Sequence, residues 1–392
     1  TLVNAGYAKK YLQRPFVLRE KNMEFIQQFQ DPPSEFSASA FWFWNGLLNS
    51  EKLAEQIDEM IDKGVFSAFM HARAYLKTPY LGEEWWQAVG GCIKKGTDKG
   101  FHPWLYDEYA WPSGTAGRTF DYSYQKKSRV LSQGESNMAK GLKAVAIEVQ
   151  DTLDIQKELF SFGKPLAAYE TVSEPFSVRR LTAWKNGSVE KGKIITAFYR
   201  EIYPKSVDYL NKDTIRYFLD LTHEEYKKRF GKSFGSIVPG VFFDEIYNAA
   251  ILPWTDSFPR EFEIRMGYDL LDHLPCLIND GGSYGRKVRK DYFQILSQLY
   301  EEAFFKQIAD WCAENNLMLT GHTEESLLTH PRRQGNYFQT MRHLQIPGAD
   351  CHDYRYHFPR KITYCEPKYA VSVARAYGKS RCMSEAMGGA GW

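Results

Sequence analysis

Short apolar runs alternate along the chain with stretches whose apolar residues recur every three to four positions. The first run covers residues 39–46, and the stretch after it places Leu53, Ile57 and Ile61 on one face of a helix. Parallel neighbouring strands need a crossover between them, usually a helix, so this alternation predicts an α/β protein with a parallel sheet. The pattern predicts seven such strands, at residues 39–46, 65–71, 102–107, 237–243, 317–321, 349–353 and 381–385.

The alternation is interrupted between residues 118 and 205, where strand-like runs dominate. These runs cover residues 142–149, 165–172, 178–184 and 194–199, and the sequence KNGS at 185–188 is a tight-turn signal between two of them. We therefore predict an inserted β-rich subdomain at 118–205. This subdomain divides the region of alternating strands and helices, which we interpret below as a barrel, into two parts. The first part covers 36–117 and the second 206–392, and an N-terminal segment at 1–35 precedes them.

The strand and helix count favours a (β/α)8-type TIM barrel that is incomplete at its C-terminus, with the last strand missing or supplied by the N-terminal segment. The alternative is an open, doubly wound sheet. No G-x-G-x-x-G motif opens the first crossover, as a dinucleotide-binding sheet of that kind would require.

Composition narrows the range of functions. The 392 residues include 50 Lys and Arg against 48 Asp and Glu, and this near-neutral balance argues against nucleic acid or an acidic membrane as partner. No apolar run approaches the roughly 20 residues of a membrane-spanning helix. The six cysteines form no C-x-x-C pair, and no secretory signal follows Thr1, so we expect a cytoplasmic protein. Aromatic residues make up 16%, which suits a large core and stacking on sugar rings.

Candidate chemistry gathers at the ends of the predicted strands. In a parallel barrel the carboxyl ends of the strands meet at one mouth, where working residues lie. We predict that substrate is bound there by side chains from six strand ends and the loops beyond them: Trp44, Asn45, His71, Arg73, Asp107, Glu108, Tyr109, Trp111, Tyr247, His322, His352 and Asp353. For His71 and Arg73 the structural alternative to binding sugar hydroxyls is a salt bridge with Asp107 or Glu108.

Two acidic residues at matching positions suggest glycoside hydrolysis. Glu245 ends the fourth strand and Glu385 the seventh, so barrel closure would bring both carboxylates to one bound sugar. One carboxyl group would protonate the departing oxygen, and the other would activate water or attack the anomeric carbon. The structural alternative is a helix cap or an ion pair with Arg73, Arg355 or Arg381.

A metal site is a weaker prediction. His322 with Glu324 and Glu325, or His352 with Asp353, could ligate an ion, but the chain has no H-E-x-x-H motif. Carboxylates and carbonyls at one mouth would suit calcium better than zinc.

The chain resembles glycoside hydrolase family 106, whose founding activity is α-L-rhamnosidase, and its bacterial relatives. The matching segments run in order through the chain: FWFWNG at 41–46, YLGEEWW at 80–86, WLYDEYAWPSG at 104–114, GVFFDE at 240–245, LTGH at 319–322, GAD at 348–350 and SEAMG at 384–388. The resemblance implies a catalytic barrel that cleaves a terminal neutral or deoxy sugar with inversion, and suggests calcium as the cofactor. It implies Glu245 as acid and Glu385 as base, with Glu324 in either role or as a metal ligand.

Two other functions fit the same strand-end residues. One is a metal-dependent sugar isomerase or epimerase, whose mouth would gather Glu, Asp and His around a divalent ion. The other is a non-catalytic carbohydrate-binding barrel, in which both glutamates would be dispensable. All three functions have a carbohydrate as partner, and none predicts an oligomeric state.

Overall fold

The computed structural model describes residues 26–117, 128–151, 153–173, 176–323, 330–351 and 366–386. Within them lie two sheets, one of seven parallel strands and one of five antiparallel strands. The strands are β1 Ser39–Gly46, β2 Ser67–Leu76, β3 His102–Tyr109, β4 Met138–Glu148, β5 Ala167–Ser173, β6 Phe176–Arg180, β7 Ile194–Val207, β8 Gly240–Ile246, β9 Pro253–Trp254, β10 Met318–Thr323, β11 Ile346–Cys351 and β12 Met383–Ala386.

Helices connect the parallel strands, as the alternation predicts. They are α1 Ser50–Asp62, α2 Glu83–Lys99, α3 Ile155–Ser161, α4 Lys212–Leu221, α5 His223–Phe230, α6 Phe258–Met266, α7 Gly282–Tyr300, α8 Gln307–Glu314, α9 His330–Arg333, α10 Tyr337–Met341 and α11 Glu366–Ala376. A π-helical segment, Glu301–Lys306, joins α7 to α8. No helix in the described ranges is both long and apolar enough to cross a membrane.

The seven parallel strands follow chain order, β1-β2-β3-β8-β10-β11-β12, and each overlaps one of the seven predicted runs. The sheet curls into a half-barrel, with β1 and β12 as its two edges in the described part of the chain. The α/β class and the parallel sheet are therefore confirmed. A complete (β/α)8 barrel is not, because no eighth strand pairs β12 with β1 among these residues.

The concave face of the half-barrel is built in layers, because alternate residues of a strand point to the same side. Large apolar side chains fill the lower layer, where Phe69, Trp104 and Phe242 form a cluster with Phe41 packed against it. Gly240 lies at the base of β8, where a Cβ atom would come within 2.1 Å of the Met318 carbonyl oxygen. Two residues beyond this apolar layer, towards the carboxyl ends, the side chains become polar.

The convex face packs against the helices and forms the main core. Ile57 of α1, Val89 of α2, Phe218 of α4 and Ile295 of α7 are all fully buried there. Each of these positions belongs to a run with helical spacing of apolar residues, so burial of one apolar helix face drives this packing. The helices therefore hold the sheet from outside and leave its carboxyl edge to the loops.

The antiparallel sheet has the order β6-β5-β7-β4-β9, so β9, which follows β8 in the chain, completes a sheet otherwise made by the insertion. Its strands β4, β5 and β7 overlap the predicted runs, whereas the strand that matches the run predicted to reach residue 184 ends at Arg180. Tyr169 and Phe198 of this sheet belong to the main core. Lys140 of β4 forms a buried ion pair with Asp208, at 3.2 Å. The insertion is thus joined to the half-barrel by packing and by charge.

Candidate active site

Three ionisable side chains meet at the carboxyl ends of β8, β10 and β12. His322 Nε2 lies 2.7 Å from a Glu385 carboxylate oxygen and 3.4 Å from Oδ1 of Asp244. One ligand atom from each of the three lies within 4.8 Å of the others. The imidazole is fully buried, while the Glu385 side chain keeps 21% of its surface exposed. An imidazole thus stands between two carboxylates from strands that are not neighbours in the sheet.

Tyr106 and His71 extend this cluster towards the β1 side of the sheet. The Tyr106 hydroxyl donates a hydrogen bond to Oδ2 of Asp244 at 2.5 Å. The His71 ring stacks on Tyr106, with 3.6 Å between centroids and an interplanar angle of 19°. Both His71 ring nitrogens are buried and lack a hydrogen-bond partner within the described ranges. Burial lowers the pKa of His71 well below its usual value, so this ring is neutral at physiological pH.

Asp244 has a perturbed pKa. Burial raises the pKa of Asp244 to about 6; the Glu385 and Asp350 carboxylates act in the same direction, and the His322 imidazole and the Tyr106 hydrogen bond oppose them. Desolvation penalises the charged form of a carboxyl group, which accounts for the sign of the shift. A raised pKa beside other acids is typical of catalytic sites. The sequence interpretation selected its neighbour Glu245 and not Asp244.

Glu245 lies at the point where β8 leaves its extended path. Its φ is 40°, a left-handed conformation that is uncommon for residues other than glycine. The residue is half-buried, in contrast to Asp244, which is only 4% exposed. Backbone strain of this kind persists where surrounding structure enforces it, and it clusters at functional sites. Its predicted role as the acid stays a prediction.

The two acids at the end of β3 serve their own loop. Glu108, fully buried, accepts hydrogen bonds from the backbone N–H groups of Tyr109, Thr115, Ala116 and Gly117. Asp107 accepts a hydrogen bond from the Ser113 hydroxyl at 2.5 Å. These contacts depart from the predicted substrate binding by Asp107 and Glu108, because both carboxylates are buried and so cannot reach sugar hydroxyls. A run of small and turn residues after the strand, PSGTAG at 112–117, was the available signal for a loop anchored in this way.

Ser113 connects that loop to the cluster. Its hydroxyl accepts a hydrogen bond from the Asp244 backbone N–H, and its own N–H donates to the Asp244 carbonyl, both at 2.9 Å. The loop at 110–117 is therefore paired with the end of β8. Glu108 and Asp107 act on the site indirectly, by holding this loop in place.

Two other predicted contacts face away from the mouth. Trp44 is 2% exposed and packs edge-on against Trp42 and Trp85, the latter on α2. Tyr109 is 1% exposed and packs against Tyr80. Strand alternation explains the direction of Trp44, because its neighbour Phe43 contacts His71 on the concave face and leaves Trp44 to the helix side. These two residues are corrected from substrate contacts to core residues.

The remaining predicted binding residues stay at the carboxyl edge. Asn45 is exposed at the end of β1, and Tyr247 is half-buried just after β8. The Arg73 guanidinium lies over the rings of Phe43 and Trp111. His322 belongs to the central cluster described above. Glu324, His352 and Asp353 lie outside the described residues, so their predicted roles remain untested.

A cavity of about 900 Å³ opens along the concave face below the cluster. Its wall combines the lower aromatic layer with the β12 edge, and Glu385 is part of the lining. Glu385 is therefore accessible from the open side of the half-barrel as well as bound to His322.

Comparison with known proteins identifies the family. A family model described as alpha-L-rhamnosidase, glycoside hydrolase family 106, matches residues 180–392, more than half of the chain. The chain belongs to this family. The matched range contains β8, β10 and β12, and so all three members of the Asp244, His322 and Glu385 cluster. The resemblance inferred from the sequence motifs is thereby confirmed.

One solved structure gives the same fold. It is a rhamnosidase from Novosphingobium sp. PP1Y, with a TM-score of 0.62 and 15% sequence identity. The match covers 92% of this chain and 53% of that one, so this chain spans about half the length of the rhamnosidase. At this identity the likeness concerns the fold alone. A search of curated proteins found no match.

Proposed function

We propose that this chain hydrolyses a terminal α-L-rhamnosyl bond by acid and base catalysis with two carboxyl groups. Membership of the alpha-L-rhamnosidase family supports the substrate class. The observation that carries the proposal is the buried His322 between two carboxylates at the carboxyl edge of the sheet. That edge is where parallel barrels hold their reacting groups.

Glu385 is proposed as the general base. Its carboxylate is partly exposed and its orientation is set by the 2.7 Å contact with His322 Nε2. A base must contact the attacking water while remaining aligned, and a buried imidazole on one side leaves the other carboxylate oxygen available for that contact. In this role Glu385 removes a proton from water as the oxygen attacks the anomeric carbon.

Glu245 is proposed as the general acid in preference to Asp244. Both oxygens of Asp244 are already engaged, one by Tyr106 and one by His322. Asp244 also lies too close to Glu385: their ligand atoms are within 4.8 Å, whereas inverting pairs are separated by about 6.5–9.5 Å to admit water. Glu245 is half-buried on the same strand end, so it combines partial desolvation with access. Asp244 then acts as a positioning residue.

Leaving-group dependence tests the two roles separately. Glu385→Gln should lower kcat by about 10²–10⁴-fold on every α-L-rhamnoside, because water loses its base. Glu245→Gln should lose a comparable factor on a disaccharide but much less on p-nitrophenyl α-L-rhamnoside, whose leaving group needs little protonation. Glu263→Gln, a change at an exposed position of α6, is the control. Parental rates in both active-site variants would contradict the roles given to the two glutamates. A parental chain that cleaves no rhamnoside, together with unchanged sugar binding in both variants, would favour a non-catalytic carbohydrate-binding barrel.

Inversion is part of the proposal and has its own test. The rhamnose first released from an α-linked substrate should be the β anomer, which proton NMR resolves before the sugar mutarotates. Initial release of the α anomer would indicate retention, and Asp244 with Glu385 would then be the closer pair to consider.

The donor set at the cluster is a poor match for calcium. Calcium takes six to eight oxygen ligands, whereas the central atom of this cluster is an imidazole nitrogen, hydrogen-bonded to one carboxylate and close to the other. We therefore derive no catalytic step through calcium. The predicted cofactor is tested by measuring the rate of rhamnoside hydrolysis with the calcium chelator 1,2-bis(o-aminophenoxy)ethane tetraacetate and with added calcium. We expect the two rates to be equal.

A second candidate function follows from the same cluster. Carboxylate and imidazole ligands within 4.8 Å suit a divalent transition ion, as a metal-dependent sugar isomerase or epimerase would need. Conversion of free deoxy sugars that is abolished by a chelator and restored by Mn²⁺, without release of an aglycone, would favour this second function over hydrolysis.

A further inference from the structure

The end of β8 carries an extra residue where it pairs with β10. Between two paired positions, one residue of β10, His322, faces two residues of β8, Asp244 and Glu245. An insertion of this kind is a β-bulge, which bends its strand and can re-aim a side chain, and bulges are common next to active sites. The positive φ of Glu245 lies inside the bulge. The strand therefore changes direction at the residue proposed as the general acid.

Regular alternation would direct Glu245 to the helix side of the sheet. Asp244 belongs to the cluster on the concave side, so its two neighbours in a regular strand would face the opposite way. Phe243 follows this rule, because its ring packs against Phe304 and Phe305 of the π-helical segment. Glu245 is instead half-buried, outside that core. The bulge accounts for this difference between two residues of the same parity.

The backbone just beyond the bulge is held by a tyrosine from the helix layer. The hydroxyl of Tyr300, the last residue of α7, donates a hydrogen bond to the Ile246 carbonyl oxygen at 2.9 Å. Tyr300 is fully buried, and its ring packs edge-on against Phe305, with 5.1 Å between centroids. A buried hydrogen bond of this kind is costly to break without a replacement. Tyr300 therefore fixes the peptide that follows Glu245.

The backbone just before the bulge is held by the loop at 110–117. Ser113 pairs with the Asp244 backbone, and the Ser113 carbonyl accepts a hydrogen bond from the Tyr209 hydroxyl. The Tyr209 ring packs edge-on against Tyr300, with 6.4 Å between centroids. Two buried tyrosines in mutual contact thus hold the strand on either side of Glu245, one through the loop and the other directly.

The direction of Tyr300 depends on the π-helical segment that begins at the next residue. Glu301 is 4% exposed, and its carboxylate contacts Arg342 at 2.6 Å and His343 Nε2 at 2.5 Å. These contacts tie the wide turn to the segment that precedes β11. Because π-helical turns inside α-helices frequently lie at functional sites, the turn is consistent with a role in the reaction. An anchored turn at this point sets the rotation of the helix and so aims the Tyr300 hydroxyl at β8.

We propose that Tyr300 is a positioning residue for hydrolysis, which holds the bulge of β8 in the form that presents Glu245 to the oxygen of the cleaved bond. This inference rests on the proposed function, in which Glu245 is the general acid. Proton transfer requires the acid within hydrogen-bond distance of that oxygen, and a displacement of about 1 Å can cost about 10²-fold in rate. Without the Tyr300 hydroxyl, Glu245 can relax to an ordinary extended backbone, which turns its carboxyl group towards the helix side.

Tyr300→Phe tests the proposal, because it removes the hydroxyl and keeps the ring. Loss of one buried hydrogen bond should lower kcat about tenfold on a rhamnosyl disaccharide. The KM should change little, since Glu245 acts on the leaving oxygen. On p-nitrophenyl α-L-rhamnoside, whose leaving group needs little protonation, the loss should be much smaller. In a Glu245→Gln background, Tyr300→Phe should lower the disaccharide rate no further.

Tyr292, on the same helix, provides a matched control. It is also fully buried, and its hydroxyl also donates to a backbone carbonyl, that of Pro253 in β9. Pro253 pairs with β4 in the antiparallel sheet, away from the bulge. Tyr292→Phe removes the same kind of hydrogen bond, so it reports the effect of lower stability alone. It should leave the ratio of the disaccharide rate to the p-nitrophenyl rate at the parental value.

Several results would overturn the positioning role and leave rhamnoside hydrolysis intact. They are equal losses on both substrates in Tyr300→Phe, no loss on either, a change confined to KM, a further loss in the Glu245→Gln background, or the same change of ratio in Tyr292→Phe. If the parental chain cleaves no rhamnoside, or Glu245→Gln keeps the parental rates, the proposed function fails instead. Crystal structures of the parental chain and Tyr300→Phe then judge the hold on the bulge. A Glu245 φ that becomes negative in the variant supports it, and a φ that stays positive rejects it.

Discussion

His223, at the start of α5, should make the protein less stable in mild acid. Its ring is 2% exposed and packs edge-on against Trp311, with 5.1 Å between centroids. Nδ1 bonds to the Thr222 hydroxyl, which itself donates to the Phe218 carbonyl, so Nδ1 carries the proton. Nε2 is buried with no partner within the described ranges. A second proton on this ring would therefore be buried without an acceptor.

The magnitude follows from the shift in pKa. Burial lowers the pKa of His223 from 6.5 to about 3. Below pH 6.5 the unfolded chain binds a proton that the folded chain does not, so this group removes stability as the pH falls from 6.5 towards 3, and has no effect above 6.5. At 1.36 kcal/mol for each pKa unit, the loss between pH 7 and pH 5 is about 2 kcal/mol.

The assay compares guanidinium unfolding of the parental chain and His223→Phe at pH 7 and pH 5. Phenylalanine keeps the ring packing and cannot titrate, so the drop in unfolding free energy between the two pH values should be about 2 kcal/mol smaller in the variant. Phe218→Leu alters packing beside the same ring without removing a titratable group. It should lower stability equally at both pH values. An identical pH dependence in the parental chain and His223→Phe would refute the reasoning.

Three further changes test the fold and the cluster. Gly240→Ala should destabilise the half-barrel by about 1–3 kcal/mol or more, measured by denaturant unfolding, because its Cβ would lie 2.1 Å from the Met318 carbonyl oxygen. Lys140→Met should cost about 3–5 kcal/mol by the same assay, since it leaves the Asp208 carboxylate buried without its cation. Tyr106→Phe removes a hydrogen bond that lowers the pKa of Asp244. Its pH–rate profile should move to higher pH on the acidic side, and an unmoved profile would separate Asp244 from catalysis.

Much of the site could be located from sequence because it depends on strand ends. Glu385 and His322 were selected for their place after apolar runs, and the structure brings the two into contact. Asp244 was not selected because Glu245 was taken as the residue that ends the fourth strand. Period-two alternation from Phe242, which faces the concave side, indicates Asp244 as the inward residue. Alternation would therefore have added Asp244 to the cluster beside Glu385 and His322.

The predicted substrate contacts that the structure places elsewhere share a physical cause. Asp107, Glu108, Trp44 and Tyr109 also stand at strand ends, yet the structure turns them to the helix side or to their own loop. A strand-end position fixes the height of a side chain in a barrel but not its direction. Direction depends on register and on bulges, such as the irregularity between Met70 and Ala72 where β2 pairs with β3. Such irregularities arise from packing between distant segments.

The local pattern alone determined the α/β class, the seven parallel strands in chain order, the β-rich insertion and the edge of the sheet where ionisable residues collect. These features depend on hydrophobic periodicity within about ten to twenty residues, which each segment carries independently. Only the tertiary structure decided that the sheet curls into a half-barrel, that β9 completes the second sheet, and that Asp244, His322 and Glu385 touch. It alone shows Arg73 between two rings. Those facts join residues far apart in the chain, and which of them meet is set by packing of the whole molecule.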